Sequence, residues 1–468
     1  MKNKMSIYYK IKIYISYLIV GLFIQSNCIL FANYIASGSF GAATIDGKIY
    51  NQISFRPEIT YKKLGLGLDV NIYIDANGEI YSKNWMFKDF DSSLETIMDK
   101  IYYLRWANRN DNFYFRVGSL PSITLGYGAL VERYSNSLEY PQVKKLGLNL
   151  IAGNDKVKFE YIHSDFKSTS GLIALETKFN LSSRSNVFIT LAHDINQLSR
   201  LDEIPSNRSE SDWMDWCQEL TSFLDQALDC SSIYNQIENE SSYKGKDPIS
   251  GISISADYVF SDKISVYSEW AQLVGKTSNN QNLGSGIIFP GLSYRFKNGK
   301  FTLEGRHILS NNFMFNYWDR SYDIQRAIDS SNDLNNGSYY TKESTLHEYK
   351  IMNGIYSYFS YDILRIMNFL VGYQHLIKDD NTYKSFTSSI NVNPNLIPKV
   401  KKIEFFYQNN NVSNPFKLST SSIHGYDIGV EASDRMTITY QSRTTYRLDD
   451  NGELEPIRIM QLDTQFDF

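Results

Sequence analysis

The chain has 468 residues, of which 15% are aromatic and 21% are charged, and its formal net charge is −4. This near-neutral balance argues against a nucleic-acid-binding protein, which would carry a marked basic excess. Only three cysteines occur, so a fold held together by a disulfide framework is excluded. The composition is still compatible with a secreted all-β protein.

The first 32 residues predict an export signal. A basic stretch comes first, with Lys2, Lys4, Lys10 and Lys12. The apolar run Ile13–Ile24 follows, which is shorter than the ~20 residues of a membrane-spanning helix but suits the core of a signal peptide. We expect cleavage after Ala32, which leaves a mature domain of residues 33–468. Lipidation at Cys28 is the alternative.

Two cysteines remain after such a cleavage, Cys217 and Cys230. An oxidising compartment favours a bond between them. A straight helix would hold the two residues ~20 Å apart, which is beyond the reach of a disulfide. The bond therefore requires a break in the helix, and both the bonded and the free state stay open.

Alternation of apolar and polar residues recurs along the chain. From Leu64 to Ile74 every second residue is aliphatic, and Asp69 and Asn71 lie on the opposite face. A strand between lipid and a wet lumen has this pattern, and so does a sandwich strand with one face in water. The strand pattern alone does not separate these two folds.

The length of the connections separates them. The alternation predicts about 20 strands, with 16 to 20 as the accepted range. They lie near residues 36–45, 48–60, 65–75, 98–107, 112–119, 144–152, 156–164, 171–179, 185–193, 251–260, 264–273, 284–296, 300–310, 348–359, 365–375, 382–392, 400–410, 423–432, 435–444 and 456–468. Short polar connections such as 61–63 and 297–299 alternate with mostly long ones such as 76–97 and 311–347. A sandwich has no reason to sort its loops in this way, whereas a transmembrane barrel has short periplasmic turns and long extracellular loops.

The last strand alternates up to the final residue. Its apolar face carries Leu462, Thr464, Phe466 and Phe468. An aromatic residue at the end of such a strand resembles the closing strand of bacterial outer-membrane β-barrel proteins of the porin-like kind. The resemblance implies that the barrel-assembly machinery reads this strand and that both chain ends face the periplasm. The segment from Arg116 to Asn136 is also similar to part of an uncharacterised family of such barrels. This similarity implies no activity.

We therefore predict an all-β fold, a single large antiparallel barrel in the outer membrane, with lipid around it. Its register turns charged residues toward the lumen, namely Arg56, Glu58, Asp69, Arg116, Lys158, Glu160, Glu269, Glu304, Arg306, Glu404, Asp427, Glu431 and Arg443. They form either a pore wall of both signs or a set of ion pairs in a closed interior. Side chains alone do not fill a barrel of about 20 strands, so it holds water or an inserted segment.

Two connections stand out by composition. Residues 120–143 mix glycine, aromatic and aliphatic residues, which is unusual for a loop in water, so they form an inward-folding constriction, a cover on the barrel mouth or an extension of the rim. Residues 202–250 are acidic, and Trp213 and Trp216 lie at helical spacing with several leucines. We expect a helical extracellular insertion there, either a solvated cap or a surface that binds cations or a partner.

No catalytic set is evident. The six histidines are scattered without metal-ligand spacing, and we expect no enzyme activity, no metal site and no cofactor. Strands begin directly after the signal, so we expect no plug domain of a TonB-dependent transporter. The predicted function is porin-like passive diffusion of small hydrophilic solutes. The alternative is a closed or plugged barrel that acts as an adhesin, a receptor or a structural envelope protein.

Overall fold

The computed structural model describes residues 33–45, 48–82, 85–120, 122–138, 143–166, 171–200, 247–277, 280–329, 339–364, 366–378, 381–392, 397–433, 436–448 and 453–467. The predicted signal, residues 202–246 of the acidic insertion with both of its cysteines, and Phe468 lie outside these residues. The predictions for them remain predictions.

The described residues form one antiparallel sheet of 21 strand segments and a separate pair of short strands, Ala327–Asp329 and Tyr339–Thr341. Two of these, Leu64–Leu68 and Val70–Ile74, pair with the same neighbouring strand and are separated by Asp69 alone, so we number them together as β3. The other strands are β1 Asn33–Ile45, β2 Lys48–Tyr61, β4 Ile101–Trp106, β5 Phe113–Gly118, β6 Gly147–Gly153, β7 Val157–His163, β8 Leu172–Asn180, β9 Ser185–Asp194, β10 Ile249–Val259, β11 Ile264–Val274, β12 Ser285–Phe296, β13 Gly299–Ile308, β14 Asn353–Ile363, β15 Met367–Lys378, β16 Asn381–Val392, β17 Val400–Val412, β18 Ile423–Ser433, β19 Met436–Leu448 and β20 Leu454–Asp467.

Pairing of the first strand with the last closes the sheet. Each strand pairs antiparallel with the next, and β1 also pairs with β20, where Ser37 lies opposite Asp467 and Ala42 opposite Leu462. A closed barrel leaves no strand edge unpaired. The predicted antiparallel barrel of about 20 strands is confirmed. Several boundaries differ from the prediction. The strand expected near 348–359 begins at Asn353, because a 3-10 helix, Glu343–Glu348, lies just before it. The strand expected near 98–107 begins at Ile101, because a helix ends at Met98.

Apart from 46–47 and 379–380, which are short, the connections sort by length between the two ends of the barrel. At the short-turn end they are 62–63, 107–112, 154–156, 181–184, 260–263, 297–298, 364–366, 393–399 and 434–435. At the long-loop end they are 46–47, 75–100, 119–146, 164–171, 195–248, 275–284, 309–352, 379–380, 413–422 and 449–453. β1 begins and β20 ends at the short-turn end.

The long-loop end contains short helices that strand alternation did not predict. They are α1 Phe90–Met98, α2 Tyr322–Gln325 and the 3-10 helix named above. Asp89 caps α1: its carboxylate accepts the Ser92 amide at 2.8 Å, and its own amide donates to the Ser92 hydroxyl at 3.1 Å. No helix among the described residues is long and apolar enough to cross a membrane.

Burial on the barrel wall is opposite to that of a protein in water. Exposed apolar side chains surround its outer face, among them Phe40, Phe55, Phe159, Leu191, Ile254, Phe289, Leu303, Ile355, Phe405 and Leu462. Polar side chains such as Gln52, Asn149, Thr190 and Ser253 are buried. A continuous apolar exterior of this extent suits contact with lipid, since a monomer in water rarely exposes so large a patch.

Aromatic rings cluster outside the barrel near the short-turn end. Tyr258 and Phe260 lie 4.9 Å apart beside turn 260–263, and Phe296 lies 6.0 Å from Phe359 and 5.8 Å from Tyr361. Transmembrane barrels carry such aromatic girdles where the membrane meets water.

The polarity of the outer wall can be tested with two exposed isoleucines. Ile254 lies in the middle of β10 and Ile80 in the 75–100 loop, and both are about half exposed. We expect Ile254→Arg to destabilise the folded barrel by ~2–4 kcal/mol, because an arginine would face the middle of the bilayer. Ile80→Arg should change stability by less than about 0.5 kcal/mol. Urea titration of protein refolded into lipid vesicles measures both, and equal stability of the two variants would contradict a lipid-facing wall.

Candidate functional site: two loops against the inner wall

Two long connections supply most of the largest buried apolar cluster. Loop A, residues 119–146, joins β5 to β6, and loop B, residues 309–352, joins β13 to β14. From loop A the cluster takes Leu120, Ile123, Leu125, Ala129, Leu130, Val131 and Tyr134, and from loop B mainly Phe313, Phe315, Tyr317, Trp318, Tyr322 and Leu346. Strand residues such as Ile162, Ala271 and Ile288 complete it.

The two loops are joined to each other by backbone hydrogen bonds. Val131 and Trp318 form a parallel bridge. The Trp318 amide donates to the Leu130 carbonyl at 2.9 Å, and the Glu132 amide donates to the Trp318 carbonyl at 3.1 Å. The Asn316 amide donates to the Ala129 carbonyl at 2.9 Å. Movement of one loop therefore disturbs the other.

The tip of loop A is bound by carboxylates of the wall. Glu269 on β11 is fully buried and accepts the Tyr127 amide at 2.9 Å and the Ala129 amide at 3.0 Å. Glu176 on β8 accepts the Gly126 amide. Gly126 has φ +57, which a glycine adopts without strain.

The Tyr127 ring extends this attachment. It stacks on Tyr267 of β11 with ring centroids 3.8 Å apart, and its hydroxyl donates to Asp257 of β10 at 2.5 Å. The Tyr267 hydroxyl in turn donates to Glu304 of β13 at 2.6 Å. Loop A thus contacts β8, β10 and β11 directly and β13 through Tyr267.

Glu304 and Arg306 form a buried ion pair. Arg306 Nε lies 2.7 Å from Glu304 Oε2, and Arg306 Nη1 donates to Gln374 at 2.6 Å. The guanidinium also lies 4.0 Å from the centre of the Tyr356 ring. Both charges are paired and hydrogen-bonded, as burial at this depth requires.

The predicted lumen residues of β2 to β5 form a second group. Arg56 lies 2.8 Å from Asp69, and Lys144 of loop A lies 3.3 Å from the same carboxylate. Glu58 accepts a hydrogen bond from the Tyr103 hydroxyl. Arg116 donates to the Ser119 carbonyl at 2.6 Å and lies 4.4 Å from the Tyr103 ring centre.

Lys158 and Glu160 of β7 make contacts with the 107–112 turn. Arg109 donates to both carboxylate oxygens of Glu160, at 2.7 and 2.9 Å, and Asn149 donates to the same group at 2.8 Å. Lys158 donates to the Asn110 carbonyl at 3.4 Å.

The remaining predicted residues lie on β17 to β19. Asp427 is 2.5 Å from Arg443 and 2.5 Å from Lys402, which also lies 3.6 Å from Glu404. Glu431 pairs with Lys401 at 2.8 Å. The predicted charges are therefore spread over several pairs and do not gather in one site.

The base of loop B is attached through residues that the sequence did not indicate. Asp194 at the end of β9 accepts the Tyr322 hydroxyl at 2.8 Å and lies 3.3 Å from Arg326. Asp323 accepts the Tyr134 hydroxyl at 3.0 Å. The run of alternating aromatics from Phe313 to Tyr317 was the only available signal that loop B packs against a surface.

The predicted assembly strand lies where expected. In β20, Leu462 is half exposed on the outer face opposite Ala42, and Thr464 and Phe466 lie in register with Phe40 and Gly38. How assembly factors read this strand stays a prediction.

Two loop carboxyls have perturbed acidity. Burial raises the pKa of Glu343 in loop B to about 7, and the neighbouring Asp247 carboxylate adds to the rise. Burial also raises the pKa of Asp247, with Asp194 adding to it and a hydrogen bond with Thr341 opposing it. Near neutral pH part of the Glu343 population therefore carries a proton.

No family model matches the chain, and no curated protein matches it. Solved structures with a similar fold include the copper transporter OprC, which is 8% identical, with 93% of this chain and 80% of that chain covered and a TM-score of 0.37. The FrpB iron transporter from Neisseria meningitidis is 10% identical, with 93% and 82% covered and a TM-score of 0.35. OccK11 from Pseudomonas aeruginosa is 11% identical, with 93% and 95% covered and a TM-score of 0.32.

The fold is that of an outer-membrane β-barrel. The closed sheet, the apolar exterior and the sorted loop lengths carry this conclusion, because the likeness to each of these structures is low.

Attachment of the loop A tip can be tested at Gly126. A Cβ atom there would lie 2.5 Å from a Glu269 oxygen, whereas at Gly78 (φ +85) it would meet nothing within 4 Å. Both alanine variants carry backbone strain, but only Gly126→Ala adds overpacking, at ~1–3 kcal/mol. We expect Gly126→Ala to lower the temperature at which the folded barrel unfolds on a detergent gel more than Gly78→Ala does. Equal shifts would contradict the contact.

The raised pKa of Glu343 predicts a pH dependence. Because the folded state holds this proton up to about pH 7 and the unfolded state releases it near pH 4.5, stability conferred by Glu343 is present at low pH and is lost between these values. Its size is on the order of 1–3 kcal/mol. Hydrogen exchange of residues 339–349 should speed up as pH rises from 4.5 to 7.5. Glu343→Gln should remove this rise, while Glu348→Gln, an exposed neighbour, should keep it.

Proposed function

We propose that the protein is an outer-membrane channel that admits small hydrophilic solutes through a lumen narrowed by loops A and B. One observation supports this most: the barrel wall is apolar outside and polar inside, and both loops are held against the polar side by hydrogen bonds from several strands. In this proposal loop A, which includes residues 120–143, acts as the inward-folding constriction. Solutes are selected by the narrowest cross-section and by the charges that face it.

The path runs beside the loops and does not pass through their apolar cluster. A polar cavity lies between residues of both loops and strands β14 to β17, and its wall includes Arg133, Arg320, Gln374 and Gln408. Such a wall favours a hydrated, polar solute over an apolar one, because its hydrogen-bonding groups would be left unsatisfied by apolar atoms.

The topology supports one orientation for this channel. The short-turn end and both ends of the mature chain face the periplasm, and the long-loop end faces outward, as in other barrels of this kind. Lipid surrounds the apolar wall, and the barrel-assembly machinery inserts the chain through β20. No catalytic step is assigned to the protein.

A second candidate is a closed barrel that serves as an adhesin, a receptor or a structural envelope protein. The size of the cluster between loops A and B favours it, because these loops fill part of the interior. In that case the acidic insertion 202–250, which connects β9 to β10 at the long-loop end, would be the surface that partners meet.

Electrical recording separates the two candidates. We expect the reconstituted protein to give stable current steps, and replacement of residues 124–130 by a short glycine-serine linker to raise the conductance about two-fold or more, because the tip of loop A no longer narrows the lumen. Replacement of residues 76–80 in the 75–100 loop is the control and should leave the conductance unchanged. Silence of the wild-type and of both variants would support the closed barrel.

A further inference from the structure

The ion pairs on the inner wall share a bias in exposure. Where a pair is not fully buried, its cationic side chain is more exposed than its carboxylate. Arg56 is 31% exposed against 3% for Asp69, and Arg443 is 24% exposed against 2% for Asp427. A guanidinium on a long stem extends further into the lumen than a carboxylate on a short one. In these pairs, water in the lumen therefore meets the cationic group first.

Several interior carboxylates are withdrawn from the lumen by their partners. Glu269 and Glu176 accept amides of the loop A tip, and Glu304 is enclosed by Tyr267 and Arg306. These acids therefore contribute little negative potential to the space that remains beside the loops.

Arg320 of loop B is the exception among the charges that line the polar cavity. Its guanidinium lies 4.5 Å from the Phe406 ring centre, and Arg443 lies 5.1 Å from the same ring. Within the described part of the chain, Arg320 has neither an ion pair nor a hydrogen bond. Burial lowers the pKa of Arg320; the Glu404 carboxylate opposes this shift, and the Arg443 and Arg133 guanidiniums add to it. A second anionic group beside Arg320, in addition to Glu404, would stabilise the charged guanidinium.

The other charged groups of the cavity wall already have partners. Asp319 accepts hydrogen bonds from Ser321 at 2.8 Å and Asn410 at 2.7 Å, and lies 3.4 Å from Lys342. Glu132 accepts the Tyr356 hydroxyl at 3.2 Å and lies 3.9 Å from Arg133. Neither acid is placed to neutralise Arg320.

We propose that the lumen prefers anions and that Arg320 binds the oxyanion group, carboxylate or phosphate, of a small solute in the cavity beside loop B. A guanidinium presents its donors in a planar fork that matches both groups. The inference rests on the proposed channel for its role in transport, but the binding step can be measured without any current.

Calorimetric titration of the folded protein in detergent tests the site, with inorganic phosphate and acetate as separate probes. We expect at least one probe to bind, and Arg320→Gln to weaken it about ten-fold or more through loss of a charge-assisted hydrogen bond. Arg320→Lys keeps the charge but not the planar fork of donors, so its affinity should lie between those of the wild type and Arg320→Gln. Arg184→Gln, an exposed arginine in the 181–184 turn, is the matched control and should bind as the wild type does. Wild-type-like binding by Arg320→Gln, or no binding of either probe by the wild type, would overturn the site.

A reversal potential measured across a KCl gradient tests the preference for anions. The wild type should favour chloride, and Arg320→Gln should shift the potential toward potassium while Arg184→Gln does not. A current that favours potassium in the wild type would refute the anion preference but would not contradict the proposed channel function. Binding of phosphate by a protein that carries no current would instead refute the channel function, while the anion-binding site at Arg320 would be supported. If Arg320→Gln does not fold, the affinity of Arg320→Lys tests the binding site and the reversal potential of the wild type tests the anion preference.

Discussion

The structure depends on one geometric constraint: a closed sheet of this circumference has an interior too wide for its own side chains to fill. Lipid outside requires the apolar residues to face outward, so the polar ones must face inward. Those inward groups lose water wherever protein covers them and then need partners. Loops A and B meet both demands, because they occupy interior volume and bring backbone amides to the wall.

The tip of loop A shows how the demands are met together. Glu269 would be costly to bury alone, but two loop amides and the Ser253 hydroxyl satisfy it. Glycines at the tip let the backbone approach the carboxylate, which a side chain at Gly126 would prevent. The wall and the loop are therefore one hydrogen-bonded unit. The bridge from Val131 to Trp318 extends that unit to loop B.

Period-two alternation and loop lengths predicted the barrel because both are local properties of the sequence. The face carrying Asp69 was predictable for the same reason. The contacts of the loops were not: the Tyr127 amide meets a carboxylate 142 residues away, and no spacing rule links the two. Asp194 follows the predicted strand 185–193, and nothing nearby in the sequence indicates its contacts with Tyr322 and Arg326. Helix α1 was missed because it is short and its last residue, Met98, fell in the strand expected near 98–107.

The net charge of the chain does not predict which charges are exposed in the lumen. A net charge of −4 suggests a protein that is slightly repulsive to anions. The charge that a solute encounters in the lumen, however, depends on which member of each ion pair is exposed to water. Asp69 and Asp427 are nearly buried, whereas their partners Arg56 and Arg443 are more exposed. An acidic chain can thus line its interior with cationic groups, because side-chain length places the guanidinium further from the backbone than the carboxylate that pairs with it.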